Sequence, residues 1–96
     1  MNHHRDEEEF YASLKEKLTN STLWPSEYLY KFIIPNVEER IQQLQKVFDN
    51  KGAAITTKKS SSGNYISFSV NLRLKNPDEV IKIYKEVSTI EGIVSL

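Results

Sequence analysis

The sequence contains no cysteine, only three glycines, three prolines and two histidines in 96 residues. Without sulfur there is no disulfide framework, no thiolate metal site and no cysteine nucleophile. Both histidines, His3 and His4, stand at the N-terminus. The body of the chain therefore lacks the side chain most used for acid–base chemistry near neutral pH. Charge of one sign is also missing: 13 Lys and Arg balance 13 Asp and Glu, which disfavours a strongly basic nucleic-acid binder. Fully apolar runs stop after two or three residues, far short of the ~20 that a membrane helix needs. The opening Met1-Asn2-His3-His4-Arg5-Asp6-Glu7-Glu8-Glu9 has no signal-peptide pattern, so a cytoplasmic location is expected. What is present, 39% hydrophobic and 27% charged residues, suits one small globular domain and not a disordered chain.

The first segment reads as a helix over residues 6–20. Its acids Asp6 to Glu9 favour a helix start, and Phe10, Leu14 and Leu18 recur at a spacing of four with Tyr11 beside them. A short helix is marginal alone in water, so this stripe must pack on something. Asn20-Ser21-Thr22 and Trp24-Pro25-Ser26 then break the pattern. Residues 1–23 are read as a helical extension and linker, and 24–96 as the domain proper.

From Glu27 to Ile34 the chain alternates, with Tyr28, Tyr30, Phe32 and Ile34 on one side and Leu29, Lys31 and Ile33 on the other. Pro35 stops that strand, and Asn36 with Glu39 forms a capping-box pattern for a helix carrying Val37, Ile41, Leu44, Val47 and Phe48. Ala53 to Lys59 reads as an edge strand guarded by Lys58 and Lys59, and Ser60 to Asn64 as a turn. Tyr65 to Leu74 alternates strictly: Ile66, Phe68, Val70, Leu72 and Leu74 against Tyr65, Ser67, Ser69, Asn71 and Arg73. One face of this strand is expected to be buried and the other wet. Asn76-Pro77-Asp78-Glu79 starts a last helix, Gly92 ends it, and Ile93 to Leu96 forms a short terminal strand. The order βαββαβ gives an α+β, ferredoxin-like sandwich: an antiparallel sheet in the order 4-1-3-2, two helices on one face, and the extra N-terminal helix.

Within that frame, Pro25 followed by Tyr30-Lys31-Phe32, the hairpin from Lys58 to Val70, and the close through Tyr84, Ile90 and Val94 to Leu96 resemble the YbeD-like group of small bacterial domains of unknown function. The resemblance covers residues 24–96. It implies a ferredoxin-like fold close to the ACT regulatory domains and a regulatory, non-enzymatic role. This chain departs from the group by its N-terminal helix. ACT domains often bind effectors at the turn between the first strand and the first helix, at subunit interfaces. Here that turn is Pro35-Asn36 without glycine, which disfavours close ligand approach.

Each chemical candidate has a plainer competitor. His3 and His4 with Asp6 and Glu7 supply metal-ligand types, but a chain terminus offers no rigid frame or second shell, so no metal is expected. Lys58, Lys59 and Ser60 to Gly63 resemble an anion loop, yet phosphate loops lead into a helix and this one leads into a strand. Glu7 to Glu9, Glu38 and Glu39 are helix-start acids facing water. The hydroxyls of Ser60 to Ser62 near Lys58 have no placed base, and the chain is expected not to be an enzyme and to need no cofactor. The candidate interaction surface is Leu29, Lys31, Ile33, Lys58, Tyr65, Ser67 and Arg73, on the open side of the sheet. Lys31 is expected there beside Ser67 and Arg73. Two apolar side chains on an otherwise polar face invite a cover, either an unidentified protein partner, a second copy, or the chain's own helix laid across through Phe10, Tyr11, Leu14, Leu18 and Trp24. A small-molecule effector is the alternative. RNA ranks last, because Ser67 and Ser69 stand where stacking aromatics would be needed.

Overall fold

A computed structural model describes the backbone of residues 3–96 and the side chains from residue 6 on. The chain runs α1 (His3–Ser21), β1 (Ser26–Pro35), α2 (Glu38–Val47), β2 (Ala54–Lys59), β3 (Tyr65–Leu74), α3 (Pro77–Val87) and β4 (Val94–Ser95). The four strands form one antiparallel sheet in the order β2-β3-β1-β4, the expected 4-1-3-2 sandwich. The two strictly alternating segments are its centre. They pair over their whole length, from Ser26 opposite Leu74 to Pro35 opposite Tyr65.

Because β1 and β3 pair in register, the side-chain alternation of the two strands adds up. Tyr30, Phe32 and Ile34 stand with Phe68, Val70, Leu72 and Leu74 on one face, all buried. Leu44 and Phe48 from α2 and its end, and Val80, Ile83 and Val87 from α3, close over them, with Ile90 behind. Aromatic rings form the middle: Tyr30 stacks on Phe32 with centroids 5.6 Å apart and meets Tyr84 edge-on at 4.9 Å. Such pairs add ~0.5–1.5 kcal/mol beyond the area they bury. The phenol of Tyr30 donates to the Val80 carbonyl at 3.0 Å, and the Tyr28 and Tyr84 hydroxyls lie 2.8 Å apart. Thus the buried tyrosines find polar partners inside an otherwise apolar layer.

That arrangement carries a pH signature. Burial, then the neighbouring Tyr84 and Tyr28 phenols, hold the Tyr30 phenol far above its usual value of 10.0; burial, then the hydrogen bond with Tyr28, raise Tyr84 likewise. In the unfolded chain these groups ionise near pH 10, whereas in the folded chain they keep their protons. The unfolded state therefore binds fewer protons above that pH, and stability, level below it, falls as pH rises through the alkaline range. Tyr30→Phe is expected to lose about 1 kcal/mol at neutral pH with its hydrogen bond and to show a shallower alkaline loss. Urea unfolding at a series of pH values reads both; an unchanged alkaline slope would contradict this account.

Three local expectations are corrected. Asn36 does not cap α2. The helix starts from Val37, with no side-chain cap, because the Asn36 amide reaches across to the Gly63 carbonyl at 2.9 Å and its backbone N–H donates to Asn64. A tertiary tie between the β1–α2 turn and the β2–β3 hairpin has displaced the local cap. Asn76 does cap, accepting from the Glu79 N–H at 3.0 Å, and Pro77 follows it at the first helical position.

The second correction concerns α1. It does not lie over the open sheet face but packs beside α3 on the helical side. Tyr11, Leu14 and Leu18 turn inward while Phe10 stays 63% exposed. Trp24 packs at the core edge and donates from Nε1 to the Leu18 carbonyl at 3.1 Å. Lys15 pairs with Asp78 at 2.8 Å, and Lys85 stands 5.4 Å from the Tyr11 ring centroid. Surface pairs of this kind contribute at most ~1 kcal/mol each, so apolar burial by Leu18 and Trp24 holds the helix. Finally, the terminal strand is shorter than Ile93 to Leu96: only Val94 and Ser95 pair, with Leu96 adding an N–H bond to the Lys31 carbonyl at 2.9 Å.

Candidate functional site

The face of the sheet away from the helices is built by the other half of the same alternation. Across β1 and β3 its rows are Glu27 opposite Arg73, Leu29 opposite Asn71, Lys31 opposite Ser69, Ile33 opposite Ser67, and Pro35 opposite Tyr65. On the β2 side Ala54, Thr56 and Lys58 continue the rows of Asn71, Ser69 and Ser67. Val94 continues the row of Ile33 from β4, and Leu96 is bonded beside Lys31. All seven predicted surface residues therefore lie on one face. Within the face, Lys31 stands opposite Ser69, and Arg73 lies two rows further along opposite Glu27. The pairing register, invisible within a single strand, sets this.

Residues that stand together at one end are Ile33, Lys58, Tyr65 and Ser67. With Lys59, Ser60 and Ser61 they line a shallow depression of ≈ 480 Å³. Beside it the apolar members of the face remain open: Leu29 is 51% exposed, Tyr65 51% and Val94 52%. Val94 and Leu96 extend the apolar surface beyond the predicted set. Only their two-residue spacing hinted at it, and a four-residue segment is too short for alternation to be persuasive.

The serine loop has a local duty. Ser60 Oγ accepts from the Tyr65 N–H at 3.1 Å, Ser62 Oγ accepts from the Asn64 N–H at 3.3 Å, and the Gly63 N–H donates to the Ser60 carbonyl at 3.0 Å. These bonds close the hairpin, with Gly63 at φ 78 where a left-handed backbone favours glycine. The metal reading at His3 and His4 lies outside the described side chains. Among the described residues no helix is long and apolar enough to cross a membrane.

Comparison with known proteins places this geometry among uncharacterised domains. A family model described as "Protein of unknown function (DUF493)" matches residues 20–96. A UPF0250 protein of Haemophilus influenzae (strain PittEE) is 35% identical over 86 residues, spanning 86% of this chain and 89% of the relative. Among solved structures, protein HP0495 from Helicobacter pylori superposes with a TM-score of 0.62 at 19% identity, covering 79% of this chain and 86% of that one. The ACT domain from the GTP pyrophosphokinase of Chlorobium tepidum superposes with a TM-score of 0.53 at 13% identity, covering 74% of this chain and all of that domain. At such identities the structural likeness speaks for the fold, an ACT-like ferredoxin-like sandwich. With the hairpin, the register and the relatives in agreement, the chain belongs to the DUF493 family, the YbeD-like group of proteins of unknown function.

Proposed function

We propose that the protein works by binding and not by catalysis, as a regulatory domain of the cytoplasm whose open sheet face docks an acidic protein surface bearing apolar side chains. The observation that carries the reading is the composition of that face. Leu29, Ile33, Val94 and Leu96 form an apolar strip that α1 leaves uncovered. Around it stand Lys31, Lys58 and Arg73 against Glu27, the one acid of this face among the described residues. Apolar burial supplies affinity, and a positive surround selects a negative partner and speeds encounter. Tyr65 is the one aromatic among the named residues of this face, too few for a base-stacking platform. Residues 1–23 are read as an extension whose helix α1 buttresses α3 and leaves the docking face free.

The test is Leu29→Glu combined with Lys31→Glu. Both side chains are exposed, so thermal stability should stay within ~0.5 kcal/mol of the parent. A protein retained from the producing cell by the parent should be lost by the variant, with binding weakened at least ~100-fold, or ~2.7 kcal/mol. Equal retention by both would refute this face as the docking surface. Sedimentation of the pure protein separates the second-copy version: a concentration-dependent dimer abolished by the same variant would make the partner another copy.

The ≈ 480 Å³ depression at Ile33, Lys58, Tyr65 and Ser67 favours a second reading, an ACT-like sensor of a small effector. Amide shifts confined to those residues on adding amino acids or related acids would favour it over protein docking.

A further inference from the structure

A second concave site lies on the opposite side of the sheet, at the corner that β2 does not reach. Pairing of β2 with β3 begins at Ala54 opposite Asn71, so Leu72, Arg73 and Leu74 run on without a β2 neighbour. Between this free end of β3 and α3 lies a cleft of ≈ 250 Å³ lined by Leu72, Leu74 and Ile83 below and by charged side chains above. The three apolar residues are buried members of the core. The rim brings Lys51 from the α2–β2 turn, Lys75 from just past the end of β3 and Lys82 from α3, while Arg73 borders the cleft in the chain between Leu72 and Leu74 with its side chain on the open face. None of these three rim cations forms an ion pair among the described residues. The acids there are Glu79 and Glu86. The Glu79 carboxylate accepts the Lys75 backbone N–H. Three cations against two acids in a protein of zero net charge leave the rim net positive over a greasy floor.

We propose that this cleft binds a small organic anion, a carboxylate with a short apolar body, the carboxylate held by the Lys51, Lys75 and Lys82 rim and the body laid on Leu72, Leu74 and Ile83. Concave pockets with an apolar lining and a few convergent polar groups are the usual form of small-ligand sites, and this volume sits near their lower end of ~300 Å³, which selects a short ligand. Converging lysine ammonium groups suit a carboxylate. The site is independent of the docking face, since Leu72 and Leu74 point to the core side of the sheet.

The experiment is an NMR titration of the full chain with three probes at matched ionic strength: hexanoate, hexan-1-ol and inorganic phosphate. Hexanoate is expected to shift the amide signals of Arg73, Lys75, Lys82 and Ile83 saturably. Hexanol, which lacks the charge, and phosphate, which lacks the body, should each bind at least about tenfold more weakly. Lys51→Glu with Lys82→Glu should weaken hexanoate at least about tenfold and leave the Leu29 and Tyr65 signals in place. Lys51→Gln with Lys82→Gln, a milder change at the same two exposed positions, should weaken it in the same direction and serves if the charge reversal disturbs folding. Absence of saturable shifts, an equal response to hexanol, an equal response to phosphate, or hexanoate binding indifferent to the lysine variants would each overturn the assignment.

Discussion

Phe68→Ala is expected to remove ~3–5 kcal/mol of stability, a large part of the ~5–15 kcal/mol that a domain commands, whereas Ser69→Ala should change it by no more than ~0.5 kcal/mol. The two residues are neighbours in one strand, and their contrast measures the sheet's two-sidedness directly. Phe68 is 1% exposed and stands opposite Phe32, beneath α2 and α3. Ser69 stands opposite Lys31 on the open side of the sheet. Removing the ring leaves a cavity that fixed strands on both sides cannot collapse, so the lost transfer energy and the cavity add. Urea unfolding with an unchanged dependence on denaturant would report the difference cleanly. Comparable losses for both substitutions would show that the face bearing Ser69 is also covered, and the docking surface would go with it.

The same two-sidedness explains what a reader of the sequence can and cannot foresee. Strand parity is printed in the order of residues 65–74, and α3 announces its start in Asn76-Pro77 because its cap is purely local. The sheet order follows from connectivity and the burial of the two most alternating strands. Other features depend on meetings between distant segments. Phe10, Leu14 and Leu18 say that α1 must be buried somewhere, not against which element; the answer lies with Leu18, Trp24 and the side of α3 carrying Asp78 and Lys85. Asn36 is an equally good cap or tertiary donor, and the Gly63 carbonyl decides. The open face is visible as Leu29, Lys31 and Ile33, yet its extension by Val94 and Leu96 needs the pairing with β4. The proposed anion cleft gathers Lys51, Lys75 and Lys82 from three parts of the chain. No spacing rule joins them.

Gly92→Val is expected to lose about 2–5 kcal/mol, and Gly63→Ala only about 1–2 kcal/mol. Both glycines hold a left-handed backbone, at φ 80 and φ 78, so both substitutions incur the strain of an L side chain there. They differ in space. A Cβ at Gly63 meets nothing within 4 Å, while one at Gly92 would stand 2.8 Å from Pro35 Cγ and 3.2 Å from its Cδ. Pro35 is ring-locked at the end of β1 and opposite Tyr65, so the neighbour has little freedom to give. The displacement must be taken up by the segment after residue 92, which is β4. Its hold is small: two paired residues and the Leu96 N–H bond to Lys31. The variant should therefore raise hydrogen exchange at Leu96 before the β1–β3 centre responds. It should also weaken docking, because Val94 and Leu96 leave the apolar strip with β4. A Gly92→Val protein with parent-like exchange at Leu96 would mean that β4 accommodates the side chain, and the rigid contact with Pro35 would be disproved as the device that seats the strand.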